Sequence, residues 1–202
     1  MLANTPLDEI FDAVRSKLKS AGFKGGKEML LLDLPEATNA IFLQKDRVSL
    51  EDKELNRIRF QLVHCVYFKA LDPFLREDRV PRQFATADAD IHHILGMSPP
   101  PESHQWWIVS PCTPVDQTKA ELTEYIHHRL LQVSALSSLN NHFNESMELW
   151  NSSALLGVRS KISILIAGVA LGRQSETAIL REHLLQHHDQ VFVRNIIKKL
   201  DS

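Results

Sequence analysis

Cysteine is nearly missing from this chain. Cys65 and Cys112 are the only two among 202 residues, which excludes a disulfide framework and a multi-cysteine zinc cluster. Reduced thiols in a cytosolic protein are therefore expected. A surplus of positive charge is also missing, since 23 Lys and Arg stand against 25 Asp and Glu, for a formal net charge of −2. Global electrostatics select no polyanionic partner, and no nucleic acid is expected. The longest largely apolar run, Ile162–Leu171, is about half of what a membrane span requires. Residues Met1–Glu9 lack the basic and apolar regions of a secretory signal and carry acids where a transit peptide would not. The expectation is a cytoplasmic protein with no membrane contact.

What is present is a change of hydrophobic period. Leu7, Ile10, Phe11, Val14 and Leu18 recur at helical spacing. Thr5, Pro6 and Asp8 supply an N-cap, a first-turn proline and an acid at the positive end of the helix dipole. Gly22 is placed for a left-handed C-cap. The short apolar runs 28–34 and 38–44, separated by Pro35, read as a hairpin. Asn56–Phe68 alternates at period two. Ile58, Phe60, Leu62, His64, Val66 and Phe68 share the core face, and Arg57, Arg59, Gln61, Val63, Cys65 and Tyr67 share the other. Gln105–Ser110 reads as a fourth strand.

Thr113-Pro114-Val115-Asp116 repeats the start signal of the first helix, predicting a long helix to about Leu139. Ala154–Leu171 predicts a buried helix ending at Gly172. Ser175 is positioned to cap a helix to His187, and Phe192, Ile196, Ile197 and Leu200 mark a last amphipathic one. The expected fold is α+β in a single domain, 1–202, with an N-terminal helix and a small, mostly antiparallel sheet of about four strands. Four to five helices then pack on the sheet. Residues 7–140 form the α+β portion and 141–202 a helical extension.

Candidate chemistry is sparse. The stretch from Ala21 to Glu28 has two late glycines and a lysine, yet it lacks the first glycine and the metal-binding hydroxyl of a phosphate loop, and its order is helix, loop, strand. A helix-exit turn is expected instead. His183 and His187 have the i, i+4 separation of a shared metal site. The intervening residues hold no carboxylate to activate water, so a solvated helix end is favoured over a metal centre. The doublets His92-His93 and His127-His128 would splay about 100° apart on a helix and chelate nothing alone. His64, among apolar neighbours, must find a hydrogen-bond partner, and a satisfied core histidine is favoured over a general base. Arg57, Arg59 and Tyr67 on the outer strand face, and Trp107 from the pair Trp106-Trp107, are the candidate partner-binding residues.

Several landmarks together are similar to small uncharacterised bacterial α+β proteins classed as domains of unknown function. They are Leu18 to Gly22-Phe23, the strand end Ile41-Phe42-Leu43-Gln44, Phe60-Gln61-Leu62-Val63, Ile91 to Gly96, and Trp106-Trp107. The likeness spans about 7–140. It implies a mixed sheet flanked by helices and carries over no catalytic residue. Some such proteins are immunity or accessory partners of toxins or defence systems. The leading expectation is thus a non-enzymatic protein-binding module without a cofactor, whose partner is another protein. The alternatives are a hydrolase using His64 or the His183/His187 pair, with or without a metal, and a homo-oligomer built through the C-terminal helices.

Overall fold

The computed structural model describes residues 5–45, 56–75, 84–86, 89–95, 107–152, 156–188 and 191–201. Helix α1 spans Pro6–Ser20 and begins with a reciprocal capping box. The Asp8 backbone N–H donates to Thr5 Oγ1 at 3.2 Å, and the Thr5 N–H donates to the Asp8 carboxylate at 3.2 Å. It ends where Gly22 takes φ +93°, a conformation that glycine adopts without strain.

A six-stranded sheet follows, in the order β1 (Lys24–Gly25), β2 (Met29–Asp33), β3 (Ala37–Lys45), β4 (Ile58–Phe68), β5 (Ile91–Leu95), with β6 (Trp107–Val109) also on β4. The pairings of β1 with β2, of β4 with β5 and of β4 with β6 are antiparallel. The expected hairpin is β2 and β3, and the expected fourth strand contributes β6. Strands β1 and β5 are additions to the expected four. The pair His92-His93 lies in β5, not on a helix, so its backbone pairs across to Cys65 and His64 of β4.

Strand β3 follows β4 from the Gln61 and Gln44 side chains, joined at 2.8 Å, to the Lys69 N–H, which donates to Glu36 O at 2.9 Å. The other edge of β4 is shared: β5 pairs with Leu62–Val66 and β6 with Ile58–Phe60.

After a 3-10 turn at Lys69–Leu71 and the short α2 (Asp72–Leu75) come five longer helices. These are α3 (Val115–Leu136), α4 (Leu139–Asn151), α5 (Val158–Ala170), α6 (Ala178–His187) and α7 (Val191–Leu200). The mostly polar stretch Leu139–Asn151 is therefore helix. It starts at Ser138, whose hydroxyl accepts the Asn141 N–H.

The chain groups into two compact units. The first comprises residues 1–34, 39–66 and 91–134, and the second 35–38, 67–90 and 135–202. In the first, the apolar stripe of α1 packs with Phe60 and Leu62 of β4 and with Leu122 and Ile126 of α3; the Phe11 and Phe60 rings meet edge to face at 5.3 Å. In the second, α5 is the buried centre, with Ile162 through Gly168 withdrawn from water and α4, α6 and α7 packed against it. No described helix is long and apolar enough to cross a membrane.

Candidate functional site

The sequence-predicted residues fall in separate places. His64 is fully buried and engaged at both ring nitrogens. Arg129 Nε donates to Nδ1 at 2.9 Å, and Nε2 lies 2.9 Å from Asn39 Oδ1. An arginine N–H can only donate, so Nδ1 is the acceptor and the proton sits on Nε2, pointing at Asn39. This is the satisfied core histidine that alternation suggests. Burial also lowers the proton affinity of Arg129. Among the described residues its Nη2 has no hydrogen-bond partner.

The outer face of β4, which carries the candidates Arg57, Arg59 and Tyr67, is not exposed along its whole length. Arg57 is exposed and Arg59 half-buried, but Val63, Cys65 and Tyr67 are closed off from solvent. Tyr67 packs edge to face on Phe84 at 4.9 Å and donates its hydroxyl to Ala85 O at 2.8 Å. Trp107 stacks on Phe60 and meets Tyr125 edge-on, each at 6.3 Å, so it is half-buried against the first core. Trp106 lies outside the described residues.

His183 and His187 do come together, with ring centroids 4.6 Å apart. The Lys161 ammonium, however, lies 3.0 Å from His183 Nε2 and so takes the lone pair a metal would need. Burial, then the charge of Lys161 and the neighbouring imidazoles, holds the His183 pKa below its usual value. Among the described residues no group of three or more His, Cys, Asp or Glu side chains is arranged to hold a metal ion.

A different set of residues converges in the second unit. On α4, His142, Ser146 and Leu149 stand at i, i+4 and i+7. On α5, Ser160, Ser163 and Ile164 stand at i, i+3 and i+4. Each trio therefore occupies one helix face. Together with Ala89, Asp90, Leu156 and Arg159 they line a hollow of about 160 Å³.

His142 Nε2 lies 3.4 Å from the Ser163 hydroxyl. The imidazole stacks on Phe68, with centroids 4.8 Å apart and planes at 25°, which fixes its orientation. Asp90 is anchored by the Phe68 N–H, which donates to its carboxylate at 2.7 Å. Burial lowers the pKa of His142, against an opposing pull from Asp90 and Glu145, so the neutral imidazole predominates at neutral pH.

The hollow combines a neutral base, hydroxyls, a carboxylate and a guanidinium with an apolar wall. It can fix a small polar molecule and move a proton at Nε2. None of these residues stood out in the sequence. The signal available was the pair Ser160 and Ser163, two hydroxyls at i, i+3 at the start of a mostly apolar helix, with His142 and Ser146 at i, i+4 in the preceding one. No protein-family model matches this chain, and neither a curated protein nor a solved structure shows significant similarity to it.

Proposed function

We propose that this protein binds a small polar molecule in the hollow lined by α4 and α5. One observation carries the reading: an imidazole, serine hydroxyls, a carboxylate and a guanidinium face a common space of about 160 Å³. A void of about 150 Å³ is enough to admit benzene, so a ligand of a few heavy atoms fits, with its polar end among the hydroxyls and its short apolar part against Leu149, Leu156 and Ile164.

Two-dimensional amide NMR with a panel of short carboxylic acids, hydroxy acids, amino acids and esters tests it. Shifts should cluster at His142, Ser146 and Ser163, and Ser146→Leu, which fills the hollow, should remove them. Scattered shifts, or shifts that survive Ser146→Leu, would refute it.

A second reading is the protein-binding module, built on a surface other than the candidate residues Arg57, Arg59, Tyr67 and Trp107. It is favoured by exposed apolar side chains on the last helix, Val191 at 75% and Phe192 at 49%, on the element that also carries Arg194, Lys198 and Lys199. An acidic protein surface with an apolar centre complements that mixture. Val191→Ser with Phe192→Ser should weaken a recovered complex while leaving the fold intact, and a complex that is indifferent to both substitutions removes this face from consideration.

A further inference from the structure

Resting on the reading of the hollow as a ligand site, we infer that Ser163 and His142 form a nucleophile and base pair that accepts a short acyl group from an ester. The 3.4 Å separation of Nε2 and Oγ lies within the looser range such pairs show before substrate arrives. The base is held by a third group, the Phe68 ring. The same burial that lowers the pKa of His142 leaves its imidazole unprotonated near neutral pH, as a general base must be. Asp90, whose negative charge favours the protonated ring, stabilises the imidazolium formed during transfer. Ser160 lines the same hollow and offers its hydroxyl to a developing oxyanion. Ser163 is only 6% exposed, so a reagent reaches it through this space, and the volume restricts the entering part to a short acyl chain.

The steps balance as ester plus water giving acid plus alcohol. Ser163 Oγ attacks the carbonyl carbon while His142 Nε2 takes the hydroxyl proton. The bond to the alkoxide then breaks and Nε2 returns the proton to the leaving oxygen, giving acyl-Ser163 and an alcohol. Water, deprotonated by Nε2, attacks the acyl carbon and releases the acid, and the proton returns to Oγ.

The test exposes the full chain to p-nitrophenyl acetate and reads intact mass and peptide maps after rapid acid quench. The expected result is one acetyl group on Ser163, lost in Ser163→Ala, retained on the thiol of Ser163→Cys, and strongly slowed in His142→Gln. Circular dichroism on each variant confirms folding. The acylation rate should rise with pH through a midpoint below the ordinary histidine value. Acetyl groups found on lysines alone, or an unchanged rate in Ser163→Ala, would overturn the inference. Small ligands that shift the hollow's resonances without acylating Ser163 would end it while leaving the binding reading intact, and the absence of both would end both.

Discussion

Gly168 sits in the last turn of α5, and its substitution by alanine should destabilise the protein even though alanine is the better helix former. A methyl group there would lie 2.6 Å from Thr177 Cγ2, 3.1 Å from Phe143 Cε2 and 3.4 Å from Thr177 Oγ1. Thr177 cannot easily yield, because it is 1% exposed and its hydroxyl donates to Gln174 O at 3.1 Å. Removing glycine from a helix interior gains about 1 kcal/mol. Forcing one extra carbon into a packed core costs about 1–3 kcal/mol, so the net for Gly168→Ala is a loss of about 1 kcal/mol.

Thr177→Ser deletes the clashing methyl while keeping the hydroxyl, and alone should cost about 1 kcal/mol for the lost burial and small void. Combined, the new methyl fills the space left by the old one. The double variant should then be more stable than the sum of the two single changes by about 1–2 kcal/mol. Urea denaturation followed by far-ultraviolet circular dichroism measures all four corners of the cycle. If Gly168→Ala matches or exceeds the parent protein, or if the two changes simply add, the close packing of α5 against Thr177 is not as described.

Two further predictions concern the imidazoles. Asn39→Ala deprives the His64 Nε2–H of its acceptor inside the first core and should cost about 1–3 kcal/mol in the same denaturation assay; no measurable change would mean that His64 has another acceptor. The pH dependence follows from His142, whose folded pKa lies below its ordinary value. Between the two values the unfolded chain binds more protons, so stability is full above about pH 6.5 and falls as acid is added. His183, lowered in the same direction, adds to the slope. Thermal melts from neutral to mildly acidic pH should show the decline, and it should be shallower in His142→Phe; an identical slope would assign it elsewhere.

The secondary structure was legible wherever local chemistry repeats. The α1 stripe, its Thr5 N-cap and the Gly22 exit all stand as read, and Asp8 does more than meet the dipole, since it closes a reciprocal box with Thr5. The second start signal located α3 without describing its cap: the Thr113 hydroxyl turns back to accept the Ser110 N–H at 2.8 Å, and the helix begins two residues later. Alternation in β4 identified the core face correctly. It misjudged the outer one, because the cover on Tyr67 comes from Phe84 and Ala85, far along the chain. The hollow was illegible for the same reason. Asp90, His142 and Ser163 belong to three segments, and nothing local brings a serine in one helix to a histidine in another.

The register along β4 has a practical meaning. Leu95 stands opposite Leu62 and Trp107 opposite Phe60, so the edge advances past Gln61 alone while the chain spends residues 96–106. Strands β5 and β6 thus run in the same direction along one edge of β4, in effect a single strand interrupted opposite Gln61. A slip of one residue in either strand would turn its side chains to the opposite face and put the two out of step along β4, so both halves of this edge must hold register together.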